Sequence, residues 1–201
     1  MEMPHSALWT AFEDGRRFDT VRGVQEMHCR DIGAIRLLTG RIIACDPQFD
    51  LVQEPFSFRV PPGEYPVFLS LVGDDREIAL TMIQFNDGEP TRWVPTKPKY
   101  FSVDSSNGCI MDAKLARMLI RAAERDRFDR HWKRVADQME ENDGLWANVC
   151  LHADSGMNII AFKTLGGDGA FESYLGYSED NQLVCLVTDF FLGDLASGEA
   201  T

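Results

Sequence analysis

The sequence predicts an α+β fold, mostly antiparallel β-sheets around one core with two helices inserted at about 112–141. Three observations lead there. Short β-forming runs recur between turn signals in the first half of the chain and again in its last third. One stretch, beginning at Asp112, changes to helical spacing. At 201 residues, 44% hydrophobic and 10% aromatic, the chain has enough apolar material for a single continuous core. It therefore reads as a single domain over 1–201, with 1–20 as an N-terminal extension and the small, polar stretch 193–201 as a flexible tail.

Taken in order, residues 27–52 alternate β-forming runs with a turn. Ile32 to Leu38, Thr39-Gly40 and Arg41 to Cys45 read as a hairpin ending at Asp46-Pro47. Arg59-Val60-Pro61-Pro62-Gly63-Glu64 is a strong turn before the apolar run Tyr65 to Val72, in which Pro66 belongs at an edge or a strand start because it donates no ladder bond. Ile78 to Phe85 follows between Gly73-Asp74-Asp75 and Asn86-Asp87-Gly88, as in an antiparallel meander. Prolines 90, 95 and 98 around Trp93 predict an irregular crossing segment over 91–99 that packs by its tryptophan. Beyond Asp112, an N-cap residue type, Leu115, Met118, Leu119 and Ala122 share one helical face, and Phe128, Trp132, Val135 and Met139 repeat the spacing up to Asn142-Asp143-Gly144. Strands return at Trp146 to His152, Asn158 to Thr164, Phe171 to Tyr177 and Gln182 to Leu192, joined by meander turns at 154–156, 166–169 and 178–181.

Thirty-two acidic residues against twenty basic ones give a formal charge of −12 and a pI near 4.7. Such a surface repels phosphate backbones and anionic lipid, so nucleic acid and membrane are poor partners, and it attracts a basic protein. Residues 1–20 carry charges and no signal-peptide run, and no segment has the apolar length of a membrane span, which predicts a cytoplasmic protein. The five cysteines are widely spaced, most of them in apolar runs, and read as buried reduced thiols; Cys150 in particular reads as buried. No Cys/His spacing of the zinc type occurs and the four histidines are scattered, so no metal or cofactor is expected. The basic series Arg121, Arg125, Arg127, Arg130, Lys133 and Arg134 reads as a solvated helix face paired with Glu124, Asp126, Asp129 and Asp137.

Chemistry, if present, lies in two loops. Asp104-Ser105-Ser106-Asn107-Gly108 starts like a calcium loop, but counted from Asp104 the glycine is fifth and the twelfth residue is Leu115, whereas an EF-hand needs glycine sixth and glutamate twelfth. Asp104 is better read as bonding backbone amides in a turn, and Asp112 as a helix cap. Gly167-Asp168-Gly169 can project a carboxylate from a tight turn, and Asp189 at a strand end can face it across a sheet, an arrangement suited to acid-base work or a divalent ion. Gly166-Gly167-Asp168-Gly169 lacks the Lys-Ser/Thr of a phosphate loop.

Thr39 to Pro47, Pro62 to Val67, Val103-Asp104-Ser105 with Gly108 and Met111-Asp112, Gly167-Asp168-Gly169 followed by Tyr174 and Gly176, and Thr188-Asp189-Phe190 together resemble the bacterial domain-of-unknown-function family numbered 4241. The resemblance runs from about Gly33 to Phe191. It implies positions of interest at Asp46, Asp104, Asp112, Asp168, Gly169, Tyr174 and Asp189, and no mechanism. Ser106 and Gly166 depart from the family pattern, which has glycine after the Asp-Ser pair and an aromatic before Gly-Asp-Gly.

The function expected from these readings is a non-enzymatic, acidic, cytosolic protein-binding domain of the immunity or antitoxin kind, whose protein partner is a basic toxin. The alternative is an enzyme or ligand-binding domain that uses an aspartate cluster with a divalent cation. The two differ in one observable: whether the aspartates converge on a pocket or organise separate turns.

Overall fold

The computed structural model describes residues 6–20, 23–73, 77–165 and 167–190. The tail 193–201 and Gly166 lie outside the described residues. The α+β class holds: two antiparallel sheets carry most of the chain, and helices cover one of them.

The larger sheet has seven strands in the order β1 (Arg17–Thr20), β2 (Gly23–Leu37), β4 (Gly63–Val72), β5 (Glu77–Gln84), β11 (Leu183–Asp189), β10 (Gly169–Tyr177), β6 (Arg92–Val103). The smaller has four, β3 (Ile42–Cys45), β7 (Asn107–Asp112), β9 (Met157–Lys163), β8 (Trp146–His152). The helices are α1 (Ala7–Thr10), α2 (Ala113–Ala123) and α3 (Phe128–Glu141).

Strand alternation explains the layering. Successive side chains point to opposite faces, and in the smaller sheet both faces are apolar. Ile42, Ala44, Ile110, Ile160 and Phe162 join the core against the larger sheet, while Ile43, Cys45, Cys109, Met111, Ile159 and Ala161 join a second cluster under α2 and α3. The small sheet thus divides the apolar interior into two layers. Leu115 and Leu119 of α2 with Val135 and Met139 of α3 close the second layer, as their spacing predicts. Cys45 and Cys109 stand opposite each other on β3 and β7 with Sγ atoms 3.5 Å apart, and burial pushes the Cys109 thiol well up.

Several expectations are corrected. Ile32–Leu38 and Arg41–Cys45 do not form a hairpin, because β2 pairs with β1 and β4 while β3 pairs with β7 in the other sheet. The link between them passes so close to the 59–60 backbone that a Cβ on Gly40 would sit 1.8 Å from the Val60 carbonyl oxygen, and φ there is +67°. β9 and β10 likewise form no meander hairpin, because they lie in different sheets. The proline-rich 91–99 stretch belongs to β6, an edge strand in which prolines are tolerated. Its ladder pairs Pro95 with Tyr174 and resumes at Tyr100 with Glu172, so Pro98 falls in the irregularity between, and Trp93 packs on the core as expected. Pro66 lies on an interior strand, one residue before the β5 ladder begins at Val67. The described part of the N-terminal extension is core material: Leu8 and Phe18 are buried, and Ser70 Oγ donates to the Ala11 carbonyl at 2.5 Å.

Candidate functional site

The long strand β2 brings the sheets together. A register shift between Asp31 and Ala34 is held by Gly33 N–H donating to Asp31 Oδ1 at 2.8 Å. Carbonyls in and beside this irregularity accept from the small sheet: Asn148 Nδ2 donates to Ile32 O at 2.9 Å and Asn158 Nδ2 to Ala34 O at 2.7 Å. Arg36, Glu64, Gln138, Trp146 and Cys150 line an open cleft of about 420 Å³ beside these amides. Its polar groups are largely bound to one another, including Arg36 to Glu64 at 2.5 Å and Asn148 N to Gln138 Oε1 at 2.5 Å.

Three of the sequence-derived site residues, Asp46, Asp104 and Asp168, meet in the loops beyond the Cys45 end of β3. Asp46 is fully buried directly after Cys45. Its Oδ1 accepts from Gln48 N at 2.8 Å, Phe49 N at 3.1 Å and Ser105 Oγ at 3.0 Å; its Oδ2 accepts from Asp104 N at 2.8 Å and Ser105 N at 2.7 Å. One carboxylate therefore ties the loop after β3 to the loop before β7. Charge-assisted bonds of this kind are about twice as strong as neutral ones, which offsets burial of the charge. Asp168 binds the same loop from the other side, accepting from Ser106 N at 2.9 Å and Ser106 Oγ at 3.1 Å. Ser106 has φ +59°, a conformation that the glycine of the family pattern takes without strain. Gly169 then opens β10 opposite Val103.

Asp112 works elsewhere. It caps α2 by accepting from Lys114 N at 2.7 Å, and its second oxygen accepts from Thr39 N at 2.8 Å and Thr39 Oγ1 at 2.9 Å, fixing the crossing from β2 to β3. Asp104 is exposed and takes part through its backbone. Asp189 stands opposite Glu172 and Leu80 in the β10–β11–β5 ladder. Tyr174 donates to Glu172; burial, and after it this carboxylate, push the Tyr174 phenol far up. Burial raises Glu172, yet the bonds from Tyr174 and Lys99 outweigh it and leave the carboxyl lowered. Among the described residues no group of three or more His, Cys, Asp or Glu side chains is arranged to hold a metal ion.

Two features stand out from the sequence reading. The loop pinned by Asp46 exposes Phe49 (70%) and Val52 (76%) while Leu51 between them packs on the second core. An apolar residue in sequence signals core by default, and only the loop geometry reveals these two as exposed. Cys150, expected to be buried, is exposed at the cleft, because Val149 and Leu151 take the inward positions of β8. Cys45, Cys109 and Cys185 are buried as expected, and burial pushes Cys185 to about 12.

No helix of the described residues is long and apolar enough to cross a membrane. No curated protein and no solved structure matches the chain. A family model does, over residues 35–188, and this span holds both loops, the Asp46, Asp112 and Asp168 clamps, and the two helices. The chain belongs to the family described as a protein of unknown function, DUF4241.

Proposed function

We propose that the chain is a protein-binding domain whose contact surface is the 46–54 loop together with the adjoining 104–107 loop. The observation that carries this is the pairing of exposure with rigidity. Phe49 and Val52 are apolar and exposed, yet the backbone beneath them is held by Asp46 and anchored by Leu51. Preformed apolar anchors on a fixed loop bind with little ordering cost. Asp50, Glu54 and Asp104 are acidic residues of the same loops, and the chain carries −12 overall. That charge speeds encounter with a basic partner.

The partner class is a cationic protein, and the case that best uses such a surface is neutralisation of a bacterial toxin by occupying its positive cleft, in the cytoplasm. Because Asp46 and Asp112 spend both carboxylate oxygens, and Asp168 one, on backbone N–H and hydroxyl groups, the binding reading is favoured over a carboxylate-centred enzyme.

The test uses the product of the reading frame adjoining the gene. Isothermal titration should give a complex that Phe49→Ser with Val52→Ser weakens at least tenfold, with unchanged thermal stability, and that weakens as salt rises. No complex, or equal binding by the double variant, sinks the proposal.

A further inference from the structure

A second charged surface lies at the corner between α2 and α3. Met118, Arg121, Ala122 and Arg125 recur at spacings of three and four and so form one stripe along α2 and its last turn. The chain then reverses through Glu124–Asp126, with Asp126 at φ +53° and Arg127 N donating to Ala122 O at 2.8 Å. This reversal brings Arg127 and Arg130, three residues apart at the start of α3, against the stripe. The six residues line one recess of about 200 Å³.

In an acidic chain, four arginines around one recess require an explanation. Pairing with neighbouring acids is the sequence expectation, and the structure bears it out for Lys133 with Asp137 but not for the arginines of the recess. Among the described residues the α3 ion pair is Lys133 to Asp137 at 2.7 Å, and Arg134 donates to the Cys150 carbonyl at 2.8 Å. The guanidinium groups of Arg121, Arg125, Arg127 and Arg130 have no hydrogen bond or ion pair there, although Glu124, Asp126 and Asp129 are close in sequence. His131, on the adjoining turn, sits below its ordinary value through burial and then through Arg130 and Arg134, a sign of positive potential at this corner.

We infer that the α2–α3 corner is a binding site for a compact phosphate-type polyanion, of about the size of pyrophosphate, held by Arg121, Arg125, Arg127 and Arg130. Guanidinium forks match phosphate oxygens two at a time, and two pairs of arginine, one on each side of the reversal, suit an ion charged at both ends. Met118 and Ala122 supply the apolar part of the lining and compete for none of the oxygens. The site is remote in sequence from the 46–54 loop and stands or falls independently of it.

Isothermal titration of the full chain with pyrophosphate in physiological salt tests it. The expected result is one site with a dissociation constant below roughly 100 μM, weakened at least tenfold by Arg125→Gln with Arg130→Gln. Both residues are exposed, so the double variant should unfold at the wild-type temperature. ADP separates a free ion from a phosphate ester: equal binding assigns the ion, tighter binding the ester, and either supports the site. No binding of pyrophosphate, wild-type affinity in the double variant, or equal competition by sulfate at matched ionic strength overturns it. An oligonucleotide that binds the corner when pyrophosphate does not also overturns it, and marks a nucleic-acid surface instead.

Discussion

The acidic junction at Asp46 and the basic corner at Arg125 use charge in opposite ways. At the junction the carboxylates are committed: Asp46 accepts five hydrogen bonds and Asp168 two, all from the loops they join. At the corner four guanidinium groups share a recess and bond to nothing among the described residues. The difference teaches that net charge says little about where a ligand goes. Asp46 and Asp168 hold loops in place and leave Phe49 and Val52 exposed on one of them, whereas the four arginines of the corner have no hydrogen-bond or ion-pair partner among the described residues. Substitutions at the junction should therefore cost stability, and those at the corner should leave it nearly untouched.

The largest effect is expected at Asp46. Asp46→Ala leaves four backbone N–H groups and a serine hydroxyl without their acceptor, and stranded buried donors cost about 1–3 kcal/mol each before relaxation. After the loops relax, a loss of about 3–4 kcal/mol should appear in urea unfolding, together with greater protease sensitivity at 46–54 and 104–107. A loss below about 1 kcal/mol would mean that the loops keep their shape unaided, and the contrast between the two regions would collapse.

Asp112→Ala comes next, at about 2 kcal/mol, since it removes both an N-cap and the Thr39 clamp. Asp112→Asn keeps an acceptor for one of these jobs and should recover part of the loss. Asp168→Ala should cost about 1 kcal/mol or less, because its bonds to Ser106 are exposed to water. Equal losses for Asp46→Ala and Asp168→Ala would show that burial is not what ranks them.

How much of this was legible in the sequence depends on the range of the interaction involved. The helices α2 and α3 were legible because capping by Asp112 and the 115–118–119–122 spacing are local. The link from β2 to β3 was misread for the same reason: Thr39-Gly40 looks like a hairpin turn, and the demand for glycine comes from Val60, twenty residues away. β6 was missed because proline counts against a strand locally, whereas its edge position is a property of the whole sheet. At the site, Asp46, Asp104, Asp112 and Asp168 were recognisable as positions, but Asp46 meets Ser105 only through the pairing of β3 with β7. The basic series was visible in sequence, and its assignment to ion pairs holds for Lys133 with Asp137, whereas Arg121, Arg125, Arg127 and Arg130 face one recess.

The smallest expected effect sharpens the basic side of the comparison. His131 is lowered by burial first and by Arg130 and Arg134 next, so in the folded chain it takes up its proton at lower pH than the ordinary 6.5. Between that lowered value and 6.5 the unfolded state binds more protons, and stability must therefore fall as pH drops through the window. Arg130→Gln removes one of the two cations and leaves the burial, so the His131 value should rise toward 6.5 without reaching it. Proton NMR titration of the His131 ring reads this directly, and urea unfolding at the two ends of the window should show a shallower pH dependence in the variant. Stability well above the window should stay within about 0.5 kcal/mol of wild type. An unmoved His131 would mean that salt already screens the Arg130 charge, which would weaken the case for a positive potential at the corner; a rise confirms a field that an incoming polyanion can neutralise.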